Sequence, residues 1–171
     1  ADVAGYSRLT GLDEEGTHVR LRERLRGLAD PKISEHRGKV VKHTGDGVLA
    51  EFGSVVDAVR CAIEVQRGMA EQNATVPQVK RIEFRIGIHV GDIIVDENDI
   101  FGDGVNIAAV AIELDETGSV VSAKATSGHQ LLRGSAEDAP TLSARFESDI
   151  AACDGPGGHA FRGSGECRLP V

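Results

Sequence analysis

The feature that most constrains the fold is a pair of short apolar runs on either side of a glycine-rich turn. Residues 39–42 and 48–52 have strand-like composition, and the turn between them contains Thr44-Gly45-Asp46-Gly47. An Asp-Gly pair between such runs is a strong β-hairpin signal, because both residues tolerate the backbone angles of tight turns. The sequence therefore predicts a hairpin that presents the Asp46 carboxylate at its tip.

Helical and strand patterns alternate around this hairpin. Apolar spacing predicts helices over 13–28, from 55 to about 66 and over 103–114, with Pro31 ending or restarting the first of them. Ser54 and Asp57 predict a capping box at the second helix. Strands are predicted at 82–90, 92–95 and 119–122, a polar loop at 71–80 and a short helix at 129–133. This alternation favours an α+β domain with an antiparallel or mixed sheet and helices on one side.

Composition excludes several classes of protein. The chain has 171 residues, of which 40% are apolar, and this excludes a disordered or fibrous protein. No apolar run approaches the length of a membrane span. A formal net charge of −8 argues against nonspecific nucleic-acid binding, so an acidic chain that binds a polyphosphate needs metal ions to supply positive charge. Three cysteines without a Cys-x-x-Cys motif favour a reducing cytoplasm over a disulfide scaffold or a zinc site.

Two aspartates near glycines are candidate metal ligands. Asp2 precedes Gly5 at a predicted strand end, and Asp46 lies in the hairpin turn. Asp-Gly is also ordinary turn chemistry, so Asp46 alone does not define a site. The flanking strands would hold the turn rigidly, and this favours the metal-ligand interpretation.

Four segments, in order along the chain, resemble the class III adenylate/guanylate cyclase catalytic domain in its bacterial homodimeric form. They are DVAGYSRL (2–9), VKHTGDGVLAEF (41–52), RIGIHVGD (85–92) and DIFGDGVNIAA (99–109). Four motifs in register are more specific than any single glycine pattern. The resemblance is clear over 1–122 and weak over 123–171, and residues 1–171 are interpreted as a single catalytic domain. It implies a ferredoxin-like βαββαβ core related to polymerase palms, with a mixed, mostly antiparallel sheet and helices packed on one face.

The resemblance also implies metal and phosphate contacts. Asp2 and Asp46, with the backbone carbonyl of Val3, match the ligands of two Mg²⁺ or Mn²⁺ ions. In two-metal phosphoryl transfer, one ion lowers the pKa of the attacking 3′-hydroxyl and the other stabilises the leaving pyrophosphate. Backbone amides are expected to bind phosphates at Ala4, Gly5, Tyr6 and Ser7.

The same resemblance assigns the base and the ribose. Lys42 matches the lysine that donates to adenine N1, and Asp99 matches the acidic residue that accepts from the exocyclic amine. Without the motif, Lys42 would be an ordinary solvated strand lysine. Guanine reverses both requirements, and a mispaired polar group costs about 1–3 kcal/mol, so ATP is favoured over GTP. Asn106 matches the residue that orients the ribose.

Two positions depart from the family. Val110 stands where the family has an arginine that stabilises the transition state, and losing such an arginine costs about 10³–10⁵ in phosphoryl-transfer rate. Arg162 matches a triphosphate-binding lysine within a divergent C-terminal third. His89 is interpreted as a packed strand residue, His43 as an exposed hairpin residue and Cys61 as a small core residue.

The resemblance therefore predicts a cytoplasmic enzyme that converts ATP to 3′,5′-cyclic AMP and pyrophosphate at the interface of a head-to-tail homodimer. The alternative is a weakly active or inactive nucleotide-binding and dimerisation module, which Val110 favours. A diguanylate cyclase is disfavoured because the hairpin has no Gly-Gly-Asp/Glu-Glu-Phe motif. Ala1 stands directly before Asp2, so most of the family's first strand is expected to be missing, and a regulatory domain is expected in a longer protein. No nucleic-acid partner is expected.

Overall fold

The elements of the fold come from a computed structural model, which describes residues 1–91, 93–96, 99–113, 120–124 and 132–134. In chain order they are β1 (Asp2–Val3), α1 (Tyr6–Leu12), α2 (Glu14–Arg24), a π-helical turn (Leu25–Ala29), α3 (Asp30–Glu35), β2 (Gly38–His43), β3 (Val48–Phe52), α4 (Val55–Asn73), a 3₁₀ turn (Gln78–Lys80), β4 (Phe84–Val90), β5 (Ile94–Asp96), β6 (Asp99–Phe101), α5 (Asp103–Glu113), β7 (Val120–Lys124) and β8 (Leu132–Gly134).

The described strands form one larger sheet and two hairpins. The sheet has the order β1-β4-β7-β8, in which β4 and β7 are parallel and the other two pairs are antiparallel. The hairpins are β2–β3 and β5–β6. The α+β class with a mixed sheet is confirmed, and so is the hairpin predicted around Asp46.

Helix α4 lies against strand β4 and supplies much of the core. Its N-terminus is capped by Ser54, whose hydroxyl accepts from the backbone N–H of Asp57. Two buried amides join the helix to the neighbouring chain: Gln66 Nε2 donates to the Phe84 carbonyl over 2.6 Å, and Asn73 Nδ2 donates to the Ile82 carbonyl over 2.7 Å. Because such buried bonds satisfy main-chain oxygens that water cannot reach, they fix the helix against the sheet. The largest buried side chains of the core are Phe84, Leu9, Met69, Val3 and Thr17.

The predicted capping box at α4 is only half formed. The carboxylate of Asp57 is buried and forms a two-point ion pair with the Arg37 guanidinium, with N–O distances of 2.7 to 3.1 Å. A charge-assisted pair of this kind is stronger than a single neutral bond to a backbone amide. The ion pair with Arg37 therefore replaces the hydrogen bond that the Asp57 carboxylate would accept from the Ser54 N–H in a complete capping box.

The helical region before the hairpin is longer and more divided than predicted. Asp13 is not helical but caps α2, since its side chain accepts from the Gly16 N–H at 2.9 Å. The chain then continues through the π-helical turn into α3. Pro31 lies in the first turn of α3, where its missing N–H has no helical partner to lose, so it restarts the helix and does not end it.

Two other element predictions are wrong. The polar loop predicted over 71–80 begins only after Asn73, because α4 continues to that residue. The short helix predicted over 129–133 is contradicted by β8, which pairs antiparallel with β7 and includes Leu132 and Arg133. A short apolar run fits a strand as well as a helix, and pairing with β7 decides between them.

Candidate active site

Main-chain pairing brings the two candidate metal ligands together. Strand β1 lies between β4 and the turn of the β2–β3 hairpin, and Asp2 forms a bridge with Gly47. The Val3 N–H donates to the Asp46 carbonyl at 3.0 Å, and the Val48 N–H donates to the Ala1 carbonyl at 2.9 Å. The backbones of Asp2 and Asp46 are therefore close together where β1 meets the hairpin.

Glycine at position 47 makes this approach possible. A Cβ added there would overlap the Ala1 carbonyl oxygen and lie 2.8 Å from the Asp2 Cα. Real Cβ atoms essentially never come closer than 3.0 Å to such atoms, so any other residue would push β1 away from the hairpin. Gly47 thus sets the separation of the two aspartates.

The two carboxylates have different surroundings. The Asp2 carboxylate accepts from Arg85 at both oxygens, with Nε–Oδ1 at 2.9 Å and Nη2–Oδ2 at 2.8 Å. Within the described ranges, no hydrogen bond or ion pair engages the Asp46 carboxylate.

The donor set fits a hard divalent cation whose coordination is completed by other ligands. Nowhere in the described ranges do three or more His, Cys, Asp or Glu side chains gather as metal ligands would. Mg²⁺, however, is commonly held by one or two carboxylates together with substrate phosphates and water. Asp2, Asp46 and the Val3 carbonyl provide oxygen donors of this type.

The turn between β1 and α1 is the predicted phosphate contact. Gly5 has φ 65° and ψ 34°, a left-handed conformation that glycine adopts without steric cost, and no side chain caps the helix that follows. The amide of Ala4, however, donates to the Glu83 carbonyl at 2.8 Å. Ala4 is therefore already engaged in the sheet and does not fit the predicted amide contact, which leaves Gly5, Tyr6 and Ser7.

Lys42 and Asp99 contact each other directly, although 57 positions separate them in the sequence. Lys42 Nζ lies 2.6 Å from Asp99 Oδ2, and the other carboxylate oxygen accepts from the Ile100 N–H at 2.9 Å. The hydrogen bond from Lys42, and then the one from Ile100, lower the pKa of the Asp99 carboxyl below its ordinary value. The side chains are 46% and 32% exposed, so the pair is accessible to a ligand.

Helix α5 carries the predicted ribose and transition-state positions. Gly104 packs against His89 of β4, where an added Cβ would lie 2.5 Å from the His89 ring, so the helix approaches the sheet closely. Asn106 is exposed in the first half of this helix, and Val110 follows one turn later. The side chain of Val110 and the whole of Arg162 lie outside the described part of the structure.

Two residues of this region have partners that the sequence did not predict. Arg85 lies within the third motif, but no periodicity or spacing indicates that it pairs with Asp2. The informative signal is register, since Asp2 and Arg85 face each other across β1 and β4. His43 is exposed, as predicted, and its Nε2 lies 3.0 Å from an Asp30 carboxylate oxygen.

Comparison with known proteins assigns the family. The protein-family model described as "Adenylate and Guanylate cyclase catalytic domain" matches residues 1–147 of this sequence. The chain belongs to this family. The match extends past residue 122, where the clear sequence motifs end.

Relatives and solved structures of this cyclase family agree with the assignment. The chain is 48% identical over 120 residues to "Putative adenylate cyclase 3" of Rhizobium meliloti, covering 70% of this chain and 20% of that protein. It is 31% identical over 109 residues to "Adenylate cyclase" of Streptomyces coelicolor, covering 64% of this chain and 27% of that protein. The chain therefore spans between a fifth and about a quarter of these two relatives.

The fold comparison gives the same result. A crystal structure of an adenylate/guanylate cyclase/hydrolase from Silicibacter pomeroyi superposes with a TM-score of 0.67 at 36% identity, covering 86% of this chain and 76% of that one. The guanylyl cyclase Cya2 superposes with a TM-score of 0.58 at 23% identity, covering 71% of each chain, which supports the fold alone. The cyclase palm fold is thus confirmed. None of the described helices has the length and apolar character of a membrane span.

Proposed function

We propose that this cyclase domain is an adenylate cyclase, which converts ATP to 3′,5′-cyclic AMP and pyrophosphate. The observation that carries the choice of ATP is the contact between Lys42 and Asp99. The contact presents one cationic donor beside one anionic acceptor on an accessible surface.

The pair suits the edge of adenine better than that of guanine. Adenine offers an acceptor at N1 and a donor at its 6-amino group, and the ammonium and carboxylate complement these two positions. The Lys42 ammonium has three donors and the Asp99 carboxylate about four acceptor positions, so both keep their mutual contact while binding a base. Guanine has a donor at N1 and an acceptor at O6, and each would face a group of the wrong kind.

Asp2, Asp46 and the Val3 carbonyl are proposed to hold two divalent cations, either Mg²⁺ or Mn²⁺. When bound, such ions lower the pKa of the ribose 3′-hydroxyl and neutralise charge on the triphosphate and the pyrophosphate. The pairing of β1 with the hairpin supports this role, because it brings the backbones of Asp2 and Asp46 next to each other.

Other chain groups are proposed to position the rest of the substrate. The amides of Gly5, Tyr6 and Ser7 would contact phosphate oxygens, and Asn106 would orient the ribose so that its 3′-hydroxyl faces the α-phosphate. Arg162 is proposed to contact the triphosphate. Holding the hydroxyl in line with the phosphorus contributes to the rate by orientation, independently of any proton transfer.

The working unit is proposed to be a head-to-tail homodimer. In that arrangement one protomer supplies Asp2 and Asp46 while its partner supplies Lys42, Asp99 and Asn106, so that a symmetric dimer has two equivalent sites. The product would serve intracellular signalling in the cytoplasm, with regulation by another domain of a longer protein.

Val110 favours a second candidate function, that of a nucleotide-binding and dimerisation module with little turnover. It stands one helical turn beyond Asn106, where the family has its transition-state arginine. An alkyl side chain cannot donate to a phosphate oxygen, so this position offers no stabilisation to the charge that develops in the reaction.

The deciding experiment measures cyclic AMP formation from Mn²⁺-ATP at high protein concentration, for the wild type and for Val110→Arg. We expect slow formation by the wild type and an increase of about 10²-fold or more in the variant, since a missing charge donor is restored. Asp46→Asn is the inactive control.

If the wild type and Val110→Arg both bind ATP and neither forms cyclic AMP, the nucleotide-binding module is the correct function and the enzyme is excluded.

Measurements with GTP in place of ATP test the choice of base. If a double substitution at Lys42 and Asp99 leaves the ATP-over-GTP preference unchanged, the assignment of these residues to adenine is wrong.

A further inference from the structure

Arg85 engages a carboxylate that the proposed reaction requires for another partner. Both oxygens of Asp2 accept from its guanidinium, in the parallel two-point geometry that makes arginine–carboxylate pairs strong. The two residues face each other in the register of β1 and β4. The Asp2 side chain is 25% exposed and that of Arg85 is 21% exposed, so water screens the pair only in part.

The charges around this point explain why the pairing matters. Main-chain hydrogen bonds hold the backbones of Asp2 and Asp46 next to each other, so two negative charges belong to one small region, and like charges repel each other when no cation is present. Arg85 supplies a positive charge to one of them, while the Asp46 carboxylate has no such partner in the described ranges. In the metal-free chain the guanidinium therefore occupies the position of a counter-ion.

We propose that Arg85 is a positioning residue that holds the Asp2 carboxylate in the metal-free chain and competes with a divalent cation for it. This inference rests on the proposed metal role of Asp2. Each Asp2 oxygen already accepts one bond from Arg85, so a cation must either share these oxygens with the guanidinium or displace it, and in both cases two positive charges are drawn to the same carboxylate. The affinity for metal without nucleotide is thus reduced by the strength of the Asp2–Arg85 pair and by repulsion from the guanidinium.

A purely structural role for Arg85 predicts the opposite result. If the residue only joined β1 to β4, its loss would loosen β1, separate Asp2 from Asp46 and weaken metal binding. Competition predicts that the loss of Arg85 tightens metal binding. A gain in affinity cannot arise from damage to the fold, so the direction of change separates the two roles.

The test is a titration with Mn²⁺ alone, without nucleotide, in which free Mn²⁺ is followed by electron paramagnetic resonance. The proteins are the wild type, Arg85→Gln and the double variant Asp2→Asn/Arg85→Gln. We expect Arg85→Gln to lower the Kd for Mn²⁺ by about threefold to tenfold, corresponding to about 0.7–1.4 kcal/mol. The double variant should not bind Mn²⁺ more tightly than the wild type, because it lacks the Asp2 carboxylate.

Arg37→Gln is the matched control, since it also removes one positive charge and one two-point Arg–Asp pair, but from Asp57 at the start of α4. Its Kd for Mn²⁺ should equal that of the wild type. Thermal unfolding of each variant verifies that the proteins are folded at the temperature of the titration.

The outcomes distinguish this inference from the proposed function. An unchanged or raised Kd in Arg85→Gln overturns the competition, and so does the absence of Mn²⁺ binding by both proteins. A gain that persists in the double variant overturns it as well, since the gain would not arise at Asp2. If Asp46→Asn weakens Mn²⁺ binding by the wild type while Arg85→Gln has no effect, the metal site stands and only the role of Arg85 is wrong.

Discussion

Replacing Gly47 by alanine should separate the two candidate metal ligands without removing either of them. The added Cβ would overlap the Ala1 carbonyl oxygen and lie 2.8 Å from the Asp2 Cα, inside the 3.0 Å limit of real contacts. Both atoms belong to the backbone and cannot rotate away. Relief therefore requires β1 to move by about 1 Å relative to the hairpin, the kind of backbone shift that overpacking forces.

The size of the effect follows from the bonds across this strand pair. Overpacking of a close contact costs about 1–3 kcal/mol. The movement also strains the bonds between Ala1 and Val48, which are 2.9 and 3.0 Å long, and the net contribution of each is about 0.5–1.5 kcal/mol. We expect Gly47→Ala to lower the free energy of unfolding by about 2–3 kcal/mol. Cyclic AMP formation should fall by about 10²-fold, the cost of a 1 Å misplacement.

Gly45→Ala provides the control in the same turn. Its added Cβ has nothing within 4 Å, and its φ is not positive, so the change should stay within about 0.5 kcal/mol of the wild type. The assays are urea unfolding for both variants and cyclic AMP formation under saturating Mn²⁺-ATP. If Gly47→Ala proves as stable and as active as Gly45→Ala, the close approach does not set the spacing of Asp2 and Asp46.

Two further predictions concern titratable groups. A carboxyl-carbon NMR titration should place the pKa of Asp99 below its ordinary value of 3.8 in the wild type and nearer to it in Lys42→Gln. Because the pKa of Asp99 is lowered in the folded protein, its pair with Lys42 stabilises the fold above the ordinary aspartate pKa, and this contribution is lost as the pH falls through the lowered value. If the pKa of Asp99 is the same in Lys42→Gln as in the wild type, Lys42 is not the main cause of the shift. Burial raises the pKa of the Cys61 thiol to about 12, so at pH 8 iodoacetamide should modify Cys61 far more slowly in the native protein than in urea, as peptide mass spectrometry can measure. Equal rates in the two states would show that Cys61 is accessible in the fold.

Local sequence patterns were sufficient to predict the helices and strands that carry most of the candidate site. The Asp-Gly pair predicted the β2–β3 hairpin because turn chemistry is set by a few adjacent residues. The spacing of apolar residues predicted α4, α5 and strand β4 for a similar reason. The family motifs supplied the pairing of Lys42 with Asp99, which spacing alone does not indicate.

Contacts that depend on strand register were not predictable. Asp2 and Arg85 are 83 positions apart, and a shift of one residue in β1–β4 would place the two side chains on opposite faces. The spacing of Ser54 and Asp57 predicts a capping box, but a distant arginine binds the Asp57 carboxylate. The short apolar run of β8 fits a helix as well as a strand, and only its pairing with β7 decides between the two.

The spacing of the two aspartates depends on main-chain hydrogen bonds between β1 and the hairpin, and every residue type except proline can supply both the N–H and the carbonyl of such bonds. The side chains of Asp2 and Asp46 can therefore change while the backbone around them keeps its course. A single substitution at either position would leave a folded protein that has lost a candidate metal ligand. Lineages of this domain thus have a short mutational path to non-catalytic paralogues that keep the fold.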